Sequence, residues 1–166
     1  YKNLIKMVTL SNTEGFYYKP RMDRELLETY KEGLVCIIPS FAGETSHHLK
    51  NGDLERAEAD LNWYKSIFGE DCYLELTHHP EMLGHQELQA KIKTLALKGN
   101  VPLVAAHDVY YLNKEDATAR EVMVKIQNGG VVDLSEERQE DFSFITQAKA
   151  KEYFKDTPEA LTNTIK

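Results

Sequence analysis

The sequence predicts an α/β fold on parallel strands, and two observations carry that prediction. Three apolar runs of strand length occur at residues 34–38, 72–76 and 101–106. Amphipathic stretches of helical period separate them, and strands joined by crossover helices pair in parallel. The predicted order is helix, strand, helix, strand, helix, strand, helix, followed by a shorter helical tail.

Each element has its own reason. Residues 1–10 place Leu4, Ile5, Val8 and Leu10 on one helical face, and the run Gly-Phe-Tyr-Tyr-Lys-Pro at 15–20 ends that pattern. Asp23 caps a short helix carrying Leu26, Leu27 and Tyr30, with Gly33 in the usual C-terminal position. Strand 34–38 is continuously apolar rather than alternating, which predicts burial on both faces. Asp53 opens the strongest helix, in which Leu54, Ala57, Leu61, Tyr64 and Phe68 recur at spacings of three or four and Gly69 stops the run. Strand 72–76 leads into Thr77, His78, His79 and Pro80. A helix over 86–97 ends at Gly99 and Asn100, and strand 101–106 leads into His107, Asp108, Val109 and Tyr110. A helix over 114–127 is stopped by Gly129 and Gly130. Beyond it, 131–144 is polar and acidic, and 147–155 and 158–166 read as short helices. The chain therefore divides into βα units over 1–130 and an acidic connection with short helices over 131–166.

Composition narrows the function. The chain has 166 residues, 42% hydrophobic and 28% charged, which excludes a disordered or collagenous protein. It fits one domain or a slice of a larger one, and its opening at Tyr1 reads as an excised piece. No run is long and apolar enough for a membrane span, nothing reads as a signal peptide, and a cytoplasmic location is expected. Twenty Lys and Arg against 27 Asp and Glu give a net charge of -7, a poor balance for gripping a phosphate backbone. Cys36 and Cys72 sit inside apolar runs and are expected as buried free thiols.

Parallel α/β proteins gather chemistry beyond the C-terminal ends of their strands. Those positions hold Ser40 and Glu44, then His78 and His79, then His107 and Asp108. Neutral imidazole and carboxylate together suit zinc, manganese or iron. His47, His48 and His85 belong to helix starts instead. Glu44 suits the N-terminus of a helix, where a carboxylate is favoured, better than it suits catalysis. His78 and His107 read as ordinary loop imidazoles.

The run Gly-Phe-Tyr-Tyr-Lys-Pro-Arg-Met-Asp-Arg-Glu-Leu-Leu-Glu at 15–28 closely resembles a stretch of the bacterial DNA polymerase III alpha subunits. The resemblance continues in order through Ala42-Gly43-Glu44, Trp63-Tyr64, Phe68-Gly69-Glu70-Asp71, Tyr73-Leu74-Glu75-Leu76, Asp108-Val109, Tyr153-Phe154 and Pro158-Glu159-Ala160-Leu161. The resembled region is the polymerase and histidinol phosphatase (PHP) domain. It implies a distorted (β/α)7 barrel, here partial, with a metal cluster at the C-terminal strand ends. It implies zinc or manganese in the intact domain, none held by this piece, and magnesium in a polymerase domain outside this chain. Of the ligand positions in this piece, His79 and Asp108 match the family. Ser40 stands where a cysteine often precedes Ala-Gly-Glu, and Tyr110 stands where Asp-Val-His has its histidine. The family's His-x-His pair does not occur in this chain. No catalytic residue is expected in the segment.

The resemblance therefore implies a DNA-directed DNA polymerase, a nucleotidyltransferase of DNA replication, with a degenerate PHP segment that braces it. Its expected partners are the other polymerase domains and a proofreading exonuclease subunit, with DNA held mainly elsewhere and no membrane. The alternative is a metal-dependent 3′–5′ exonuclease or phosphoesterase activity of the intact domain. A free-standing PHP phosphatase is disfavoured by the stretch from Phe16 to Arg21, which follows the polymerase branch. Tyr17, Tyr18, Lys19 and Arg21 form a basic-aromatic cluster, expected to pack within the polymerase rather than on nucleic acid. The isolated chain is expected to be inactive.

Overall fold

A computed structural model describes residues 1–127, 129 and 141–166; of the polar stretch expected at 131–144, positions 131–140 lie outside these. The helices are α1 (Lys2–Thr13), α2 (Arg24–Tyr30), α3 (Glu44–Lys50), α4 (Leu54–Phe68), α5 (His85–Gly99), α6 (Ala117–Gln127), α7 (Gln147–Tyr153) and α8 (Pro158–Asn163). The strands are β1 (Cys36–Ile38), β2 (Cys72–Leu76) and β3 (Leu103–Ala105). They form one parallel sheet in the order β1-β2-β3, so the α/β class holds. Among the described residues the sheet has three parallel strands with helices packed on it, in keeping with the expected partial (β/α) barrel.

Local chemistry fixes the helix starts. Asp23 accepts from the Leu26 amide at 2.8 Å and Asp53 from the Arg56 amide at 3.1 Å, the two side-chain caps the sequence indicates. Gly15 closes a tight turn after α1, in which a Cβ would lie 2.1 Å from the Arg21 carbonyl oxygen. Arg24 then fastens α2 to α4. Its guanidinium donates to Asp60 at 2.7 Å and to Glu44 at 3.2 Å, and lies over the Trp63 ring at 4.5 Å.

β2 alternates. Cys72, Leu74 and Leu76 are buried in a core with Leu61 of α4 and Leu88, Ile92 and Leu95 of α5, whereas Tyr73 and Glu75 face the other way. Burying each large aliphatic side chain contributes about 1.5–3 kcal/mol, so this layer holds the helices on the sheet. The tail joins the same layer. Phe154 and Ala160 are core residues, and Asn163 donates to the Leu103 carbonyl at 2.8 Å.

Two expectations differ from the structure. β1 is not buried on both faces: Val35 is 60% and Ile37 51% exposed, because among the described residues only its helix-facing side is covered. In α1, the expected apolar face of Leu4, Ile5 and Val8 is exposed, and Met7 and Ser11 turn inward instead. No helix among the described residues is long and apolar enough to cross a membrane.

Candidate functional site

Parallel pairing carries the ends of all three strands to one edge. Ser40 follows β1, Thr77, His78 and His79 follow β2, and His107 and Asp108 follow β3. Of these, His79 is the centre. Its ring is buried, stacked on His107 with centroids 5.7 Å apart, and met at an angle by Phe142 at 5.0 Å and by His85 at 5.8 Å.

The protons on this cluster follow from its partners. His79 Nδ1 lies 3.2 Å from Glu81 Oε1, a carboxylate that can only accept, so Nδ1 carries the proton. The opposite nitrogen, Nε2, is buried, has no hydrogen-bond partner, and faces Asp108 Oδ2 at 3.8 Å. This is the arrangement in which a carboxylate orients a histidine for metal ligation. His107 donates from Nε2 to the Ser143 carbonyl at 3.0 Å, leaving Nδ1 buried without a partner. Burial is the main cause holding the pKa values of His78, His85 and His107 below the ordinary histidine value, so these rings are neutral near pH 7. His85 sits beneath, with Nε2 3.0 Å from the His79 amide and 3.1 Å from the Thr77 carbonyl.

Ser40 and Tyr110, expected to stand at altered ligand positions, are engaged otherwise. The Ser40 hydroxyl donates to Glu75 Oε2 at 2.9 Å and lies 2.9 Å from the Thr77 hydroxyl, while the Ser40 amide donates to the same Glu75 oxygen at 2.7 Å. Tyr110 lies under the Arg120 guanidinium, 3.9 Å from its ring centre, and against Phe142 at 5.1 Å. Phe142 thus stands between Tyr110 and His79. The segment carrying it is tied down by two backbone bonds, Tyr110 N–H to the Phe142 carbonyl at 2.9 Å and Phe144 N–H to the Tyr111 carbonyl at 3.0 Å.

A zinc or manganese site takes roughly three or more protein donors. Here His79 and Asp108 are the two that approach one another, and no group of three or more His, Cys, Asp or Glu forms a candidate centre among the described residues. The residues in this chain do not by themselves fit a closed metal site. A cleft of about 430 Å³ beside α5 and α7 is lined by Thr77, His78, His85, Gln89 and Tyr153 among others, but neither His79 nor Asp108 lines it.

Other expected positions are placed as follows. His78 stacks on Tyr153 at 4.1 Å, away from Asp108. Glu44 begins α3 and pairs with Arg24. Tyr17 and Tyr18 are exposed, with Arg21 over the Tyr17 ring at 5.0 Å. Residues that the sequence did not single out are Glu81 and Phe142. Glu81 stands two positions after His79, close enough in sequence to have been found; Phe142 carries no local signal.

The chain matches the PHP domain family over residues 1–79. It is 37% identical over 171 residues to DNA polymerase III subunit alpha of Borreliella burgdorferi, covering all of this chain and 15% of that protein. It is 30% identical over 200 residues to the subunit of the same name from Chlamydia pneumoniae, covering 99% of this chain and 16% of the relative. The Aquifex aeolicus protein of that name is 40% identical over 127 residues, 76% of this chain and 11% of its own length. The chain thus spans less than one fifth of the curated relatives it matches.

Proposed function

Since the chain is homologous along its whole length to part of DNA polymerase III subunit alpha, with a PHP domain match at its start, we propose that it serves a replicative DNA-directed DNA polymerase as a structural PHP segment. The observation that carries the structural reading is Phe142, whose ring packs on His79 while Tyr110 is held under Arg120. A ring in that place supplies packing and no donor electrons, and it is anchored by backbone hydrogen bonds to residues following β3. Ser40, with its hydroxyl spent on Glu75 and Thr77, supports the same reading.

In this reading His79 and Asp108 are vestiges of the family's ligand set, and the segment's work is to present surfaces to the rest of the polymerase. The exposed faces of β1 and α1 suit that work, since Ile37 and Leu4 are apolar and uncovered. Residues 1–130 are the βα portion, and 131–166 lead toward the remaining polymerase domains. Nucleotidyl transfer, with its magnesium, belongs to a domain outside this chain. DNA is held mainly there, a proofreading exonuclease subunit is a partner, and the protein works in the cytoplasm. The 166-residue chain alone neither polymerises nor cleaves DNA.

One observation favours the second reading, a metal-dependent 3′–5′ exonuclease or phosphoesterase. His79 Nε2 and Asp108 Oδ2 are both acceptors, and at 3.8 Å they repel unless a proton or cation lies between them. The test is a 3′–5′ exonuclease assay with Mn²⁺ or Zn²⁺ on the polymerase carrying this segment, without any separate proofreading subunit. The structural reading expects no digestion above background. Digestion abolished by His79→Ala, with polymerase activity retained, would establish the second reading instead.

A further inference from the structure

The two cysteines of the chain are a pair. Cys36 opens β1, Cys72 opens β2, and the register sets one directly opposite the other. Neighbouring strands lie about 4.8 Å apart, inside the roughly 4.4–6.8 Å separation of Cα atoms that a disulfide spans. Residues opposite one another in parallel strands project to the same face. Both are on the helix side of the sheet, Cys72 within the core and Cys36 packed against it. Both are free thiols. Cys72 is fully buried, whereas Cys36 is only partly covered, so a reagent reaches the pair through Cys36.

We propose that Cys36 and Cys72 form a reversible intramolecular disulfide when the protein meets a hydroperoxide. The Cys36 thiolate attacks the outer peroxide oxygen, the O–O bond breaks, and the departing alkoxide takes a proton to become an alcohol. Cys36 is then a sulfenic acid. Cys72 loses its proton and attacks the Cys36 sulfur, the S–S bond forms, and hydroxide leaves and is protonated to water. Two thiols lose two electrons in total, and the hydroperoxide gains them. The neighbouring Cys72 and burial hold the Cys36 thiol above its ordinary value, so its attack on the peroxide is the slow step, and the adjacent Cys72 traps the sulfenic acid once it forms. Because the pair sits where β1 and β2 begin, the link fastens the end of the sheet opposite to His79 and Asp108 and encloses α3 and α4 in one covalent loop.

The test treats the folded 166-residue chain with tert-butyl hydroperoxide, unfolds it, alkylates the remaining thiols, and reads intact and peptide masses. The expected result is a monomer that takes up no alkyl group and yields one linked peptide pair through positions 36 and 72. Dithiothreitol restores both alkylation sites, and a chain unfolded in urea before treatment links several-fold more slowly. Two alkylated cysteines after treatment, or loss of thiols only into intermolecular dimers or sulfinic acid, would overturn the proposal. Cys36→Ser provides the second measurement. Cys72 in that variant should stay reduced at the same dose, and its oxidation at the wild-type rate would show that Cys36 is not the point of entry.

Discussion

His79 Nε2 faces Asp108 Oδ2 across 3.8 Å, while its Nδ1 is held by Glu81. The two residues differ sharply in what the fold asks of them. The His79 side chain is 1% exposed, and that of Asp108 is 51% exposed. In a structural segment the buried ring matters and the carboxylate does not. His79→Ala should cost about 2–4 kcal/mol through the cavity left among Phe142, His85 and His107. Asp108→Ala should change stability by about 0.5 kcal/mol or less. Urea denaturation of both variants makes the comparison.

Glu75 accepts from both the amide and the hydroxyl of Ser40. Glu75→Ala removes the acceptor from two donors where β1 ends, both on the buried Ser40, and leaves the amide unpaired while the hydroxyl keeps Thr77 beside it. The expected loss is about 1–3 kcal/mol. Glu75→Gln, which keeps a carbonyl oxygen for the same donors, should recover most of it. Chemical denaturation of the two variants side by side separates the lost acceptor from the lost volume.

Gly15→Ala places a Cβ where the Arg21 carbonyl oxygen stands. The obstacle is backbone, so the turn from α1 to α2 must open instead of a side chain rotating away. A fall in stability of about 1–3 kcal/mol is expected, with increased proteolysis near residues 15–21 in a limited-digestion time course.

Asp141 accepts from Lys149 Nζ at 2.8 Å and from the Ser143 amide at 3.0 Å. Burial by itself would raise its pKa, but these hydrogen bonds outweigh burial and hold the carboxyl well below the usual carboxylate range. A carboxyl whose pKa is lower folded than unfolded adds stability above its unfolded value, near 3.9, and loses it as pH falls toward the folded value. Asp141→Asn should therefore cost about 1 kcal/mol at neutral pH, discounted for the exposure of Lys149. The gap from the wild type should close as the pH is taken below about 4. Thermal melts of both proteins across that interval give the measurement.

Sequence patterns made the element order legible, because apolar runs and helical spacing are local signals. The Asp23 and Asp53 caps were legible for the same reason, each needing only its next three residues. The side on which an element is buried was less so. The apolar face of α1 and the inner face of β1 are visible in the sequence, but what covers them is not local, and both are exposed here. At the site, His79 and Asp108 could be proposed from strand ends and family resemblance. The Ser40–Glu75 bond depends on the register of β1 against β2, and Phe142 reaches His79 from 63 positions away, so neither could be read from spacing.

The central claim is that the strand-end cluster packs rather than binds. The most direct measurement is the metal content of the polymerase carrying this segment, compared with its His79→Ala variant. Each is equilibrated with Zn²⁺ or Mn²⁺, freed of loosely held ions, and analysed by mass spectrometry of the elements. The structural account predicts far less than one ion per chain attributable to this site, and no difference between wild type and variant. One or more ions retained per chain, and lost in the variant, would contradict it.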